Sequence, residues 1–463
     1  MLFITIKKED RRTITKQLYD EMRQAIIKGK IHPEERLPST RDLAKELHIA
    51  RNIVIEVYEQ LMDEGYLYTR KGSGTYVGEN ILIDREENIG IQKREELEAR
   101  KTYQTSFRTG IPELGSIPLG KWANVYKNAM LELSGESLDY QNPMGNMELR
   151  IQISEYLNKV RGCVTVPQNI LITNGAAQAF YLLSRVVQKK EYALVENPIS
   201  YGVRHTLERN QVRIQPVSVD SQGIRIDELP EKPPKLIFTT PSHQFPTGVI
   251  MPAGRRMQLL SYARQKNCYV VEDDYDSEFR FDGKPIQAMQ YLAPERVIYV
   301  GTFSKTLMPS LRIGYLVLPE SLIEEMKELK YVQDIHSANL EQIALAHFIK
   351  LGFYEQHIRK MKKIYLKKRD YIVNCLKQEF GEAVRIEGAE AGLHFMAVFS
   401  GRIFDSEKMQ EIENAGIEIT AVNKHYIDTD IKGKYDNALL FGYGNTNLQK
   451  VEAAIKQLAE IMR

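Results

Sequence analysis

Residues 297–312 of this chain read Val297-Ile298-Tyr299-Val300-Gly301-Thr302-Phe303-Ser304-Lys305-Thr306-Leu307-Met308-Pro309-Ser310-Leu311-Arg312. The opening run is apolar and rich in β-branched and aromatic residues, which predicts a buried strand that ends near the glycine. Lys305 therefore follows the end of a strand, with hydroxyl side chains before it and Arg312 after it. Ligands of open α/β sheets bind beyond the carboxyl ends of the strands. The stretch predicts a lysine in a ligand site.

Other apolar runs in the same part of the chain also end in polar residues with chemical uses. They are Ile170-Leu171-Ile172 before Thr173-Asn174-Gly175-Ala176-Ala177-Gln178, Ala193-Leu194-Val195 before Glu196-Asn197-Pro198, Leu236-Ile237-Phe238 before Thr239-Thr240-Pro241-Ser242-His243-Gln244, and Tyr269-Val270-Val271 before Glu272-Asp273-Asp274-Tyr275. Short β-rich runs alternate with amphipathic stretches from about residue 105 onward. This alternation predicts an α/β domain with a mainly parallel sheet over residues 105–463.

These strand ends provide the groups that the ring of pyridoxal phosphate needs. The cofactor requires an amine for a Schiff base, an acid that keeps the pyridine nitrogen protonated, and a donor for the ring hydroxyl. Lys305 can supply the amine and Asp273 the acid. Tyr275, two residues after Asp273, points the same way from the strand. Tyr201 is a candidate to stack on the ring.

The phosphate of this cofactor needs amide, hydroxyl and cationic partners. Gly175-Ala176-Ala177 opens a predicted helix, and the N–H groups at a helix N-terminus bind phosphate. Ser304, Thr302 and Arg312 add hydroxyls and a guanidinium. Each residue alone has an ordinary structural explanation, such as a surface lysine or a turn glycine. Their combination, in this order on consecutive strand ends, favours a pyridoxal phosphate site.

Residues 1–78 are predicted to form a separate domain of helices followed by a hairpin. Apolar residues recur at helical spacing over residues 13–64, with a break around His48-Ile49-Ala50. Two β-rich runs flank Arg70-Lys71-Gly72-Ser73-Gly74, which predicts a hairpin with a basic, glycine-rich tip. Residues 79–104 carry mixed charges and few large apolar groups, which predicts a linker.

The order of helix, break, helix and basic hairpin suits a DNA-binding domain. Ser39 is placed to cap a helix whose N–H groups can face a phosphate. Arg51 and Asn52, at the start of the next helix, are candidates for base contacts in the major groove. The remaining candidate DNA-binding residues are Thr40, Arg41, Arg70, Lys71 and Gly72. The other interpretation is a small helical protein-interaction domain with solvated charges.

Residues 105–463 resemble fold-type I pyridoxal phosphate enzymes of the class I aminotransferase superfamily. The motifs that carry this resemblance are Thr239-Thr240-Pro241-Ser242-His243-Gln244 with Pro246-Thr247-Gly248 after it, Glu272-Asp273-Asp274-Tyr275-Asp276-Ser277-Glu278-Phe279, and Gly301-Thr302-Phe303-Ser304-Lys305. Residues 37–47 and 50–54 resemble a GntR-type winged helix-turn-helix. The whole chain therefore resembles the MocR/GabR-type regulators of the GntR family.

The resemblance implies a winged helix-turn-helix joined to an aminotransferase-like domain, which has a mainly parallel sheet with helices on both faces and a small C-terminal α+β subdomain. It implies that Lys305 carries pyridoxal 5'-phosphate and that Asp273 pairs with the pyridine nitrogen. Tyr275 is then expected to meet the ring hydroxyl, and Arg312 to bind the phosphate. His243 or Gln244 is expected near the ring.

The resemblance also concerns the ligand and the partner subunit. Tyr140 is similar to the residue that reaches a neighbouring subunit's phosphate in head-to-tail dimers, although a buried core tyrosine is the other interpretation. Aminotransferases hold the substrate carboxylate with an arginine near the C-terminus, because its guanidinium gives bidentate recognition. Asn445 stands at the expected position. The ligand then lacks an α-carboxylate, uses another cation such as Arg204, or is the cofactor itself.

Composition limits the class of protein to which this chain can belong. The 463 residues are 43% hydrophobic and 27% charged, as in soluble proteins of two or three domains. The net charge is +2, so any DNA-binding surface must come from clustered basic residues. The three cysteines are widely separated, which favours a reducing compartment and gives no metal-ligand spacing. No signal peptide or membrane span is predicted, so we expect a cytoplasmic protein.

The leading hypothesis is a pyridoxal phosphate-dependent transcription regulator that binds double-stranded operator DNA through its winged helix. Its aminotransferase-like domain would dimerise the chain and sense a small amine, an amino acid or the cofactor itself through a Schiff base at Lys305. Any transaminase activity is expected to be partial at most. The alternative hypothesis is a catalytically active aminotransferase with an N-terminal interaction module.

Overall fold

The computed structural model describes Ile4, Ile6 and residues 12–79, 102–281, 283, 286–427 and 435–463. The chain divides into two compact units, and the division falls between Lys101 and Thr102. Most of the predicted linker, residues 80–101, lies outside the described residues. Among the described residues, no helix is both long enough and apolar enough to cross a bilayer.

The N-terminal unit contains three helices and a hairpin, as the sequence predicts. The helices are α1 (Ile14–Ile27), α2 (Thr40–Leu47) and α3 (Arg51–Asp63), and the strands are β1 (Leu67–Arg70) and β2 (Gly74–Val77). The strands pair antiparallel, with Arg70 opposite Gly74. Apolar residues from all of these elements form one core, which includes Leu18, Val54 and Leu67. The helical periodicity therefore marks the buried faces correctly.

The second unit contains most of the chain. Its helices are α4 (Leu119–Leu131), α5 (Gly135–Leu138), α6 (Met147–Val160), α7 (Ala176–Val186), α8 (Tyr201–Arg209), α9 (Ala253–Lys266), α10 (Ile323–Asp334), α11 (Asn339–Lys350), α12 (Phe353–Phe380), α13 (Ser406–Asn414) and α14 (Leu448–Met462). Its strands are β3 (Thr105–Ser106), β4 (Ile170–Thr173), β5 (Ala193–Asn197), β6 (Ile214–Asp220), β7 (Gly223–Ile224), β8 (Leu236–Thr239), β9 (Tyr269–Asp274), β10 (Val297–Thr302), β11 (Gly314–Val317), β12 (Val384–Glu387), β13 (His394–Phe399), β14 (Ile417–Glu418), β15 (Thr420–Ala421) and β16 (Ala438–Gly442).

The main sheet has the order β4-β11-β10-β9-β8-β5-β6-β7. The pairs β10–β9, β9–β8, β8–β5 and β5–β6 are parallel. β11 runs antiparallel to both of its neighbours, so β4 points the same way as β10. This arrangement confirms the predicted mainly parallel sheet. It also brings the carboxyl ends of β4, β5, β8, β9 and β10 to one edge.

Helices cover both faces of this sheet. Along β4, the side chains of Ile170 and Ile172 join a core cluster that includes residues of α4, α6 and α11. The side chain of Leu171 joins a different cluster, which includes residues of α7 and α8. Successive side chains of a strand point to opposite faces. The strands therefore read as continuous apolar runs because both faces are buried.

A smaller subdomain follows the long helix α12. Its sheet has the order β12-β13-β16-β15. One face of that sheet packs with α12, α13 and α14 in a core rich in aromatic residues. Phe395 and Phe441 stack there at 5.5 Å between ring centroids. This confirms the expected C-terminal α+β subdomain.

Gly301, on β10, provides a test of side-chain packing on the main sheet. It lies opposite Tyr315 in the β10–β11 pair, and a Cβ atom at Gly301 would lie 2.2 Å from the Tyr315 ring. We expect Gly301→Ala to lower the free energy of unfolding by about 1–3 kcal/mol, because the ring must shift. Urea unfolding followed by circular dichroism measures this.

The matched control is Gly254→Ala in the first turn of α9, where a Cβ atom meets nothing within 4 Å. Alanine favours a helix over glycine, so this change should be neutral or stabilising by up to about 1 kcal/mol. Equal unfolding midpoints for the two variants would contradict the packing argument.

Candidate functional site

Lys305 lies beyond the end of β10, at the shared edge of the main sheet. Its side chain is half-buried, and Nζ donates a hydrogen bond to the carbonyl oxygen of Gly110 at 2.6 Å. Burial lowers the pKa of Lys305 below that of an ordinary lysine. Just before it, the N–H of Ser304 donates to Oγ1 of Thr302 at 3.2 Å, and both of these side chains are buried. A lysine with a lowered pKa more readily supplies a neutral, nucleophilic amine.

Asp273 is the acid next to this lysine. Its strand runs beside β10, with Asp273 opposite Val300. Burial, followed by the nearby carboxylates of Asp274 and Asp276, raises the pKa of Asp273 to about 8. Within the described residues, no hydrogen bond or ion pair satisfies this carboxyl group. An acid in this state suits a cationic ring nitrogen, because a nearby positive charge favours the carboxylate.

Tyr275 and His243 form a connected group with Asp276. The hydroxyl of Tyr275 donates to the carbonyl oxygen of His243 at 3.0 Å and lies 3.2 Å from His243 Nδ1. Nδ1 also lies 3.2 Å from the buried carboxylate of Asp276. Burial lowers the pKa of His243, but the charge of Asp276 outweighs this and the net shift is upward. The structure thus places His243 beside Tyr275.

His394 also lies in this group. One ligand atom from each of His243, Asp276 and His394 lies within 4.8 Å of the others. Their polar atoms already have partners, however: His394 Nε2 lies 3.2 Å from the carbonyl oxygen of Pro246, and the N–H of Leu393 donates to Asp276 at 3.0 Å. We therefore describe the group as a hydrogen-bonded support beneath Tyr275.

An arginine and a helix start form a cradle at the end of β4. Gly175 has φ +78°, and a Cβ atom on it would lie 2.8 Å from Nη2 of Arg312. Nη2 donates to the carbonyl oxygen of Asn174 at 3.0 Å. α7 begins at Ala176 without a side-chain cap, so the N–H groups of Ala176 and Ala177 have no partner inside the helix. Amide donors beside a guanidinium fit a phosphate group.

Tyr201, Arg204 and Asn445 are also predicted site residues. Tyr201 is 63% exposed and stacks on His205 at 5.1 Å. The Arg204 guanidinium donates to Glu208 and to the carbonyl oxygen of Tyr426. Asn445 accepts from the N–H of Leu114 at 3.4 Å. The side chains of Arg204 and Asn445 are thus engaged by the protein itself.

Tyr140 is not a core residue. Its side chain is 77% exposed, which excludes the buried-tyrosine interpretation. Its ring contacts that of His336 at 6.2 Å between centroids. An exposed aromatic residue in this position is available to a second molecule.

No role was predicted from the sequence for Gly110, Asp276 or Glu196. Glu196 is buried and accepts from the hydroxyls of Thr239 and Thr240. Gly110 lies far from Lys305 along the chain, so no local pattern links the two residues. Asp276 lies within the acidic motif, which is the only sequence signal for it.

In the N-terminal unit, Ser39 caps α2 as predicted. Its Oγ accepts from the N–H of Asp42 at 3.2 Å and donates to the Asp42 carboxylate at 2.6 Å. Thr40 Oγ1 accepts from Nε of Arg51 at 3.3 Å. The starts of α2 and α3 are thereby linked. Ala50 gives α3 no side-chain cap.

Most of the predicted DNA-binding residues are exposed. The exposed ones are Ser39, Arg41, Arg51, Asn52, Arg70, Lys71 and Gly72. Gly72 has φ +76°, which a tight hairpin tip requires. The Arg70 guanidinium is held by Glu34 at 2.8 Å and lies over the rings of Tyr68 and Tyr76. Arg70 is thus fixed in place, whereas the tip of the hairpin presents Lys71.

Comparison with known proteins agrees with both units. Residues 14–77 match the family of bacterial regulatory proteins of the gntR type, and residues 106–432 match the class I and II aminotransferases. The uncharacterized HTH-type transcriptional regulator YdeL of Bacillus subtilis is 34% identical over 414 residues, which cover 89% of each chain. The probable rhizopine catabolism regulatory protein MocR of Rhizobium meliloti is 30% identical, over 96% of this chain and 92% of that protein.

A solved structure is also similar. The kynurenine aminotransferase of Pyrococcus horikoshii, crystallised with PMP, has a TM-score of 0.70 and 26% identity, over 77% of this chain and 90% of that chain. A winged helix joined to an aminotransferase fold defines a DNA-binding regulator built on an enzyme scaffold. The chain belongs to the MocR-type subfamily of the GntR transcription regulators. Proteins of the class I aminotransferase fold use pyridoxal phosphate.

The N-terminal caps of helices α2 and α3 can be tested by substitution. We expect Ser39→Ala to destabilise α2 by about 1 kcal/mol, because the N–H of Asp42 loses its acceptor. Ala50→Ser should stabilise α3 by a similar amount, because it supplies a missing cap. A change of about 1 kcal/mol is a factor of about five in an equilibrium constant. Amide hydrogen exchange should therefore be about fivefold faster in α2 of the Ser39→Ala variant and about fivefold slower in α3 of the Ala50→Ser variant. Unchanged exchange in both variants would contradict these cap assignments.

Proposed function

We propose that the second unit holds pyridoxal phosphate at Lys305 and that an amine or amino acid bound there alters DNA binding by the winged helix. The observation that carries this proposal is the half-buried amine of Lys305 beside the unsatisfied carboxyl group of Asp273. The Arg312 cradle lies at the same edge of the sheet. The proposal assigns an amine, an acid and a phosphate site to one cofactor.

Each residue then has a specific task. Lys305 supplies the amine that joins the protein to the cofactor, and Asp273 holds a proton on the ring nitrogen. Tyr275, supported by His243, faces the ring hydroxyl, and Arg312 binds the phosphate. When bound, pyridoxal phosphate supplies an aldehyde carbon that combines reversibly with amines. The regulator thereby gains a means of recognising small amines without a dedicated amine pocket.

We further propose that the second unit dimerises head to tail. Large apolar side chains are exposed around His336: Leu138 is 73% exposed, Tyr331 58% and Val332 83%. Tyr140, 77% exposed, contacts His336. Exposed apolar residues grouped in this way are typical of protein interfaces. In a dimer, Tyr140 would reach the phosphate of the neighbouring subunit.

Gly110 connects the site to the DNA-binding unit through the polypeptide chain. Lys305 donates to the carbonyl of Gly110, and the chain before Gly110 leads back through residues 79–104 to the DNA-binding unit. A change at Lys305 therefore acts directly on the segment that follows the predicted linker. Coupling between two sites of this kind is worth about 1–3 kcal/mol in many proteins.

Lys305→Ala tests the proposal directly. Full-length protein supplied with pyridoxal phosphate should show a near-visible absorbance band that the variant lacks. DNA fragments selected from a random-sequence library by the parent protein serve as operators. Addition of the effector should change the affinity of the parent for them by roughly 5- to 150-fold, and the variant should not respond.

The matched control is Lys327→Ala, an exposed lysine paired with Glu324 on α10, which should behave like the parent. If Lys305→Ala keeps the full ligand response, Lys305 does not couple ligand to DNA. Titration of cofactor-free protein with pyridoxal phosphate alone shows whether the cofactor is itself the signal. Rapid, complete transamination without any specific DNA binding would instead favour an aminotransferase.

The dimer proposal has its own test. Val332→Asp places a charge in the exposed apolar group, and a charge buried at an interface without a partner is unfavourable. We expect sedimentation velocity to show a shift from dimer toward monomer. Ile403→Asp, at a residue that is 68% exposed in the small subdomain, is the control and should remain dimeric. A parent protein that sediments as a monomer would refute the proposal.

A further inference from the structure

Arg108 lies near Lys305 and has no role in the site described above. It stands two residues before Gly110, whose carbonyl accepts from Lys305 Nζ at 2.6 Å. Consecutive Cα atoms are about 3.8 Å apart, so the Cα atoms of Arg108 and Gly110 lie within about 8 Å of each other. Burial is the largest cause that lowers the pKa of Lys305, and the charges of Arg108 and Arg312 lower it further. The backbone of Arg108 therefore lies close to the Lys305 amine.

The backbone of Arg108 is fixed in place. The N–H of Phe107 donates to the carbonyl of Glu418 at 2.7 Å, and the N–H of Gly442 donates to the carbonyl of Phe107 at 2.8 Å. A Cβ atom at Gly442 would lie 2.3 Å from the carbonyl oxygen of Arg108. The Phe107 ring packs against Phe441 in the core. A cation on a fixed base loses less entropy when it binds a ligand.

The side chain of Arg108, in contrast, is available. It is exposed, and its guanidinium has no hydrogen-bond or ion-pair partner in the described part of the chain. Two other arginines of this unit are engaged: Arg161 pairs with buried Asp274 at 2.7 Å, and Arg204 pairs with Glu208 at 2.8 Å. Arg312 belongs to the phosphate cradle. Of these four arginines, Arg108 is left to meet an anion.

We propose that Arg108 binds the carboxylate of an effector whose amino group is placed at Lys305, so that the effector is an amino acid. The proposal rests on the proposed function and gives it a ligand class. A guanidinium pairs with a carboxylate through two parallel hydrogen bonds. Asn445, which the resemblance sets at the expected position of a carboxylate-binding arginine, is neutral, and Arg108 would supply the cation instead. A simple amine would leave Arg108 unpaired and bind more weakly.

The experiment compares each proteinogenic L-amino acid, and 4-aminobutyrate, with the amine obtained by removing its carboxylate. Full-length protein loaded with pyridoxal phosphate is titrated with both members of a pair, and the absorbance change gives the dissociation constants. The parent should bind at least one amino acid more tightly than its amine. Arg108→Gln should weaken binding of that amino acid on the order of tenfold to a hundredfold and leave the amine unaffected.

Two further variants sharpen the result. Arg108→Lys keeps the charge but cannot form the bidentate hydrogen bonds, so it should give an intermediate loss of affinity for the amino acid. Arg402→Gln removes another exposed arginine without a partner in the described residues and should match the parent. Circular dichroism confirms that each variant folds.

The outcomes separate the two proposals. If no amino acid binds the parent more tightly than its amine, or if Arg108→Gln keeps the preference, Arg108 is not the carboxylate site. If the parent shows no cofactor band that depends on Lys305, the proposed function itself fails, whatever Arg108 does.

Discussion

The parallel pairing of β9 with β10 is the constraint on which the rest of the site depends. Its register sets Val300 beside Asp273, so the residues that end β9 and those that follow β10 must share one edge of the sheet. β11 then returns antiparallel between β10 and β4 and brings Gly314 against Gly175, where a Cβ atom would lie 2.9 Å from the Gly175 carbonyl carbon. Backbone pairing therefore positions Lys305, Asp273 and the cradle formed by Arg312 and Gly175.

The carboxylates at this edge are stabilised in different ways, and the difference distinguishes Asp273. Burial of a carboxylate is unfavourable unless hydrogen bonds or opposite charges compensate. Asp274 has Arg161 at 2.7 Å, and Glu196 has the hydroxyls of two threonines. Asp273 has no such partner among the described residues, and its pKa is raised to about 8. A buried carboxyl group without a protein partner is suited to pair with a cationic ligand, whereas the carboxylates of Asp274 and Glu196 are already paired within the protein.

The segment before α4 contacts two of the predicted site residues. The carbonyl oxygen of Gly110 accepts a hydrogen bond from Lys305, and the N–H of Leu114 donates to Asn445. The same segment continues from the predicted linker and carries Arg108. The ligand recognition that we propose and the connection to the DNA-binding unit would therefore lie in one short stretch of chain.

The sequence by itself determined the elements and the order of the strand ends, because apolar periodicity and local motifs are properties of neighbouring residues. It predicted the roles that we propose for Lys305, Asp273 and Arg312. It also predicted the Ser39 cap, which depends on a contact three residues away. Only the tertiary structure placed the Gly110 carbonyl on Lys305, held Arg204 against the carbonyl oxygen of Tyr426 and Arg70 against Glu34, and left the Arg108 guanidinium without a partner among the described residues. These outcomes depend on contacts between residues far apart in the chain, which no local pattern encodes.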